Sequence, residues 1–371
     1  MSEKNGIKVL LALPNMQFFH EGWVMGHVLT GLALAKEIVN RGGQVLFLAA
    51  GKEFDAVTRE GFPVLKHQPI PFFEQTYEHV LTRNHRVAAI SELYKPDVVV
   101  GENFSYLSLF GAKSLGIPHF VITNMLESWL LDPTYFLNDL ILFMYLQDQL
   151  SSSFIPDIMP KNKIRFVGPV ISPDINHIKN QNKNDVRKKL NIPEDKLVIL
   201  VTIGGSAVLQ GILKIVVNIF SMIKKENPNA YLILNDPNEI FPNTLGDENI
   251  MITRWLPNLS EYTLASDLII NHGGFLTASE AAAVGTPQIL INSSFQGDPS
   301  QTSSWIENAG AGVHYPLESL APKTLAEKIT EILADKKKRE AMSKAGKKLV
   351  DGMGAARATQ VILDYVQKSK R

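Results

Sequence analysis

The sequence predicts an α/β protein made of two Rossmann-like domains in tandem, each built on a parallel sheet. Three observations carry that prediction. Short β-rich runs alternate with amphipathic helical runs; glycines and a Gly-Ile-Pro break punctuate them; and the alternation restarts after a polar stretch near the middle of the chain. A length of 371 residues fits two domains of ordinary size.

The elements follow in order. "IKVLLALP" is a β-rich run closed by Pro14, "LTGLALAKEIVNRGG" is an amphipathic helix stopped by glycines, and "QVLFLAA" is a second strand, which together make a βαβ unit. The pattern recurs as "PDVVVGENF", "SLFGAKSLGIP" and "HFVIT". Between them and the middle of the chain, "MLESWLLDPTYFLNDLILFMYLQDQL" reads as a pair of core-packed helices, or as an apolar wall for a bound molecule. "FVGPVISPDINHIKNQNKNDVRKKLNIPEDK" then turns to Pro, Asn and Lys and loses its apolar density, which places a domain boundary at 169–174. Beyond it, "LVILVTIGG" leads to the helix "ILKIVVNIFSMIKKE", and "AYLILN", "NIMIT", "DLIIN" and "QILIN" are further short strands. The expected domains are therefore 1–170 and 175–350, with a final helix in 351–371.

Composition narrows the function classes. At 45% apolar and 20% charged residues the chain is typical of a soluble globular protein with a large core. Basic and acidic side chains both number 37, so no global basic field exists to attract nucleic acid, and none is expected as a partner. With no cysteine, disulfides and thiolate metal sites are excluded, which suits a reducing cytoplasm. The opening "MSEKNGIKVLLALP" is too short in its apolar run for a signal peptide or a membrane span, so a cytoplasmic location is expected.

The richest constellation is "NHGGFLTASEAAAVGTP", 271–287. A buried strand ends at His272, and Gly273 and Gly274 let the backbone turn sharply into a helix. Free amides and the positive end of the helix dipole then favour an anion such as a diphosphate. Thr277 and Glu280 are three residues apart and share one helix face, so a hydroxyl near phosphate and a carboxylate near a ribose diol are available together. Singly, each residue reads as an ordinary turn, cap or core histidine; the four at this spacing read as a nucleotide seat. In the first half, Gly26 and His27 open a helix in "GWVMGHVLTG", and Glu102 closes the strand of "VVVGENF". Strand ends of adjacent βαβ units meet in one crevice, which makes His27 and Glu102 prospective neighbours.

Together, "WLPN", "HGGFLTASEAAAVGTP" and "GDPSQ" resemble the donor-binding signature of the UDP-glycosyltransferase superfamily, whose GT-B fold sets two Rossmann-like domains with parallel sheets facing across a cleft. The first-half helix "GHVLTGLALAKEIVNRGG" resembles both the small-molecule members and the transferase that completes lipid II in peptidoglycan synthesis. The resemblance implies an inverting, metal-independent transfer from a UDP-sugar or dTDP-sugar, with the nucleotide sugar as co-substrate and no cofactor. It implies that Trp255 lies against the base with the backbone at Leu256 on the base edge, that His272 and Thr277 contact the diphosphate, and that Glu280 holds the ribose. "VTIGGSA" resembles the loop that covers the phosphates, which adds Gly205 and Ser206 beside Gly273 and Gly274. An Asp-Gln pair usually grips the sugar; here Asp298 is followed by Pro299, and Gln301 comes later. The first domain is then the acceptor domain, the second the donor domain, and the last helix crosses back to the first.

His27 matches the family's general base. Inversion needs an acceptor oxygen made nucleophilic as it attacks the anomeric carbon opposite the departing nucleotide; an imidazole of pKa about 6.5 suits this, and a carboxylate, Glu102, orients it. His20 is the rival base, and Phe18, Phe19, His20, Glu21 and Trp23 offer an acceptor pocket, with Trp129 from the apolar segment. From 114 to 160 there is no Lys or Arg. An anionic membrane lipid gains about 1 kcal/mol per basic residue near the surface, so a small, largely apolar acceptor is expected and membrane association is not. Two other readings share the fold: an epimerase acting on UDP-N-acetylglucosamine, which needs no acceptor, and a non-catalytic partner of another transferase.

Overall fold

The computed structural model of the chain describes residues 6–14, 16–18, 22–23, 26–71, 75–125, 132–149, 161–204, 210–254, 256, 258–295 and 297–370, with the backbone alone at 15–25 and 70–74 where these are included. Two compact units emerge: residues 1–173 with 352–371, and residues 174–351.

The first unit is a seven-stranded sheet. Its strands are β1 (Lys8–Ala12), β2 (Gln44–Ala49), β3 (Val64–Lys66), β4 (Val98–Glu102), β5 (His119–Thr123), β6 (Leu140–Phe143) and β7 (Ile164–Phe166), in the spatial order β7-β6-β5-β4-β1-β2-β3. Every pairing is parallel, with Leu10 opposite Val99 on one side and Leu46 on the other. Parallel strands covered on both faces read as unbroken apolar runs, and β4 is buried at all five positions. A small ribbon joins the backbone of Met16–Phe18 to Gly22–Trp23 and to Ile70–Pro71. The final helix, Gly354–Ser369, belongs to this unit: Arg357 Nε donates to the Val167 carbonyl at 2.7 Å, and Tyr365 meets Phe120 edge-on with ring centroids 4.9 Å apart.

The structure corrects one expectation here. Leu140–Phe143 is a strand, entirely buried, following a single 3-10 turn at Pro133–Leu137, where a pair of helices was expected. Leu and Met raise helix propensity, but a run of four buried apolar residues fits a central parallel strand equally well, and pairing with β5 and β7 decides it.

The second unit is a six-stranded, wholly parallel sheet: β8 (Leu197–Thr202), β9 (Ala230–Asn235), β10 (Ile250–Thr253), β11 (Leu268–Asn271), β12 (Gln288–Asn292) and β13 (Gly312–Pro316), in the order β10-β9-β8-β11-β12-β13. Its core joins Ile199, Val201, Leu232, Leu268, Ile270 and Ile289 to Val216, Phe220, Ile329 and Ile332 of the covering helices. Each fully buried side chain of this kind contributes about 1.5–3 kcal/mol.

In each sheet the strand order reverses once, between β1 and β4 in the first unit and between β8 and β11 in the second. Ligands of open α/β sheets bind beyond the carboxyl ends of the strands at such a switch point.

Candidate active site

At the first switch point the chain leaves β1 and enters the helix Gly26–Asn40, which places His27 in its first turn, while Glu102 is the last residue of β4. The two side chains meet. His27 Nδ1 lies 2.6 Å from Glu102 Oε2, and the residues are only 6% and 5% exposed. A carboxylate accepts, so Nδ1 carries a proton; in the neutral imidazole the lone pair is then on Nε2, the tautomer a general base requires. Glu102 is held by the turn that follows it. Asn103 has φ +52, in the left-handed region; its carbonyl accepts from Tyr135 Oη, and its Oδ1 accepts from Thr123 Oγ1 at 2.8 Å.

Two further ionisable groups are buried at this end of the sheet. Glu53, in the first turn of the helix after β2, is fully buried, and among the described residues neither carboxylate oxygen has a hydrogen-bond partner. Arg83 is fully buried; its Nη2 donates to the carbonyls of Leu13 and Leu48, beyond the end of β1 and within β2, at 2.5 and 3.4 Å. Burial pushes the Glu53 carboxyl up to about 8; His27 and Arg83 draw it down, and Glu102 adds to the rise. Neither residue stands out in the sequence, where both read as polar faces of ordinary helices.

At the second switch point His272 follows β11. Its ring lies between two glycines: a Cβ on Gly204 would stand 3.2 Å from His272 Cε1, and one on Gly274 would stand 2.8 Å from Nε2. Gly273 has φ +78, a conformation that glycine adopts freely, and its N–H donates to Asn271 Oδ1 at 2.8 Å. Gly274, at the N-cap of the helix Phe275–Val284 that starts here, offers no side-chain cap, and the positive end of the helix dipole favours an anion. Burial draws the His272 imidazole down to about 4, and among the described residues its Nδ1 is buried without a hydrogen-bond partner. A neutral donor with an unsatisfied nitrogen is a costly resident of a protein interior and a ready one for a phosphate oxygen.

Thr277 and Glu280 lie on this helix, both half-buried. Glu280 Oε2 accepts from Ser260 Oγ at 2.9 Å, and burial pushes the carboxyl up to about 6. Leu256 is 7% exposed at the end of the segment after β10. Arg254, two residues earlier, is anchored by an ion pair with the fully buried Asp236 at 2.7 Å. Asp298 and Gln301 sit in the first turns of the helix Gly297–Asn308. The structure thus brings together His27 with Glu102 in one unit, and His272, Gly273, Gly274 and the helix bearing Thr277 and Glu280 in the other. Gly205, Ser206, Trp255, Phe19, His20 and Trp129 lie outside the described residues, and Trp23 is described in its backbone alone.

Residues 198–355 match the family described as the glycosyltransferase family 28 C-terminal domain. The chain is a glycosyltransferase. Over 71% of its length it is 27% identical to an uncharacterised glycosyltransferase of Methanopyrus kandleri, 74% of which is covered. Over 93% it is 26% identical to the UDP-N-acetylglucosamine–N-acetylmuramyl-(pentapeptide) pyrophosphoryl-undecaprenol N-acetylglucosamine transferase of Acetivibrio thermocellus, with 96% of that protein covered. In fold the transferase is similar to the glycotransferase of kitacinnamycin (TM-score 0.73, 17% identity, 97% and 99% of the two chains) and to Acinetobacter baumannii MurG (TM-score 0.66, 16% identity, 98% and 99%). These are GT-B folds, so the transferase has the expected class: two Rossmann-like domains with parallel sheets. Among its described residues no helix is long and apolar enough to cross a membrane.

Proposed function

We propose that the transferase moves a sugar, with inversion, from a UDP-sugar or dTDP-sugar to a hydroxyl of a small, largely apolar acceptor. The observation that carries this reading is the buried His27–Glu102 pair at one switch point. His27 Nε2 takes the acceptor proton, Glu102 stabilises the imidazolium that forms, and the acceptor oxygen attacks the anomeric carbon. The carboxy-terminal unit holds the donor: the glycine turn and His272 take the diphosphate, Glu280 the ribose, Trp255 and the backbone at Leu256 the base, and Asp298 with Gln301 the sugar. Helix amides and His272 offset the charge on the departing nucleotide, so no metal is required. The relative of Acetivibrio thermocellus is named for a lipid-linked muramyl-pentapeptide acceptor, which is the second reading. The lack of Lys and Arg from 114 to 160 favours the apolar acceptor.

Calorimetric titration with UDP tests the donor assignment. His272→Ala is expected to weaken UDP binding by the worth of a charge-assisted hydrogen bond, about 1.5–3 kcal/mol. Equal affinities in the variant and the parent would remove His272 from the diphosphate site. In a second measurement, turnover is expected to persist in EDTA; its loss there and return with manganese would assign the leaving-group chemistry to a metal. Incubation with donor alone is expected to yield no epimerised sugar, which separates the transferase from an epimerase.

A further inference from the structure

Resting on the reading of the carboxy-terminal unit as the donor site, we propose that Asn292 is a positioning residue that joins the diphosphate turn and the sugar-binding helix start into one recognition body.

Asn292 ends β12 and is fully buried. Its Nδ2 donates towards Ser303 Oγ at 2.6 Å, the His272 carbonyl at 3.1 Å and the Pro299 carbonyl at 3.3 Å, while its Oδ1 faces His314 Nε2 at 3.1 Å. An amide nitrogen has two hydrogens, so three acceptors share them, and the Oδ1 contact makes His314 Nε2 the protonated nitrogen. One side chain therefore ties four segments: the turn at His272, the first turn of the helix Gly297–Asn308, the body of that helix at Ser303, and β13. The fit leaves no slack. A Cβ on Gly273 would lie 2.4 Å from Asn292 Nδ2, 2.6 Å from Ser303 Oγ and 2.8 Å from the Pro299 carbonyl. Further along, Trp305 stacks on Phe275, with centroids 5.7 Å apart and planes at 20°, so the two helices are joined at a second point.

Electrostatics gives the knot a purpose. Carbonyl oxygens repel an anion, and two of those nearest the diphosphate turn, from His272 and Pro299, point at Asn292 Nδ2 instead. Holding them inward leaves amides, not carbonyls, to face the phosphates. It also fixes the separation between the turn that seats the diphosphate and Asp298 and Gln301, which are assigned the sugar hydroxyls. The sugar is then recognised against a rigid diphosphate anchor.

Asn292→Ala and the milder Ser303→Ala test this, with UDP, UDP-glucose, UDP-N-acetylglucosamine and dTDP-glucose as probes of the full-length protein. UDP keeps the ribose and base contacts but shares the loosened diphosphate turn, so its affinity is expected to fall by about 10-fold, less than that of the preferred UDP-sugar. The extra affinity that the preferred sugar adds over UDP is expected to vanish, selectivity among the sugars to flatten, and kcat to fall by about 10²-fold, the usual consequence of a 1 Å misplacement. A lower melting temperature with sugar selectivity and kcat intact would reduce Asn292 to a structural role and overturn the proposal. If Asn292→Ala does not fold, the same comparison in Ser303→Ala decides. Failure of the wild-type protein to bind any of the four probes would instead sink the donor reading itself, and the proposal with it.

Discussion

Replacing His27 with alanine is expected to cut turnover by about 10²–10⁴-fold, the usual yield of general-base catalysis, while leaving UDP affinity nearly unchanged. The imidazole belongs to the amino-terminal unit, and the proposed nucleotide contacts all belong to the carboxy-terminal one. Glu102→Gln is expected to cost less. It keeps the Nδ1 contact at 2.6 Å in shape but removes the charge that stabilises the imidazolium. Steady-state rates and calorimetry with UDP on the three proteins check both expectations. The burial of His27 and its short contact to Glu102 favour it over His20. Should His27→Ala retain most of its turnover while His20→Ala loses it, the base is His20 instead.

Glu53→Gln is expected to stabilise the protein, and more so as the pH rises. Burial holds the Glu53 carboxyl at about 8, against an ordinary value of 4.5 in the unfolded chain. Between those values the unfolded state has lost a proton that the folded state retains. Stability therefore falls as pH climbs through that window. Glutamine cannot ionise and abolishes this dependence. Melting temperatures of the two proteins should nearly coincide in slope below pH 4.5 and diverge steadily up to pH 8, by the order of a few kcal/mol in stability, since each unit of pKa difference is worth about 1.4 kcal/mol. A constant difference across pH 5–8 would mean that Glu53 is ionised in the folded protein. The sign is distinctive because most carboxylates in native proteins are stabilised by partners and lose stability on acidification.

The sequence by itself determined the local chemistry. Alternating β-rich and amphipathic runs required two parallel α/β domains; a histidine opening a helix, a glutamate closing a strand and a glycine turn running into a helix were each written in a few adjacent residues, and short-range geometry set their conformations. What only the tertiary structure decided is how closely these residues meet and which others become buried beside them. His27 and Glu102, 75 positions apart, were prospective neighbours by the rule that strand ends of adjacent units converge; the pairing of β1 with β4 makes that a direct contact of 2.6 Å. Leu140–Phe143 became a strand for the same reason: its propensity was ambiguous, and two flanking partners resolved it. Glu53 and Arg83 look like solvent-facing residues until helices close over them, and Asn292 looks like a strand end until β13 and the helix Gly297–Asn308 converge on it. Burial and convergence are properties of the packed sheet, set by contacts distant in sequence, and they convert ordinary polar residues into the ones that hold the site in place.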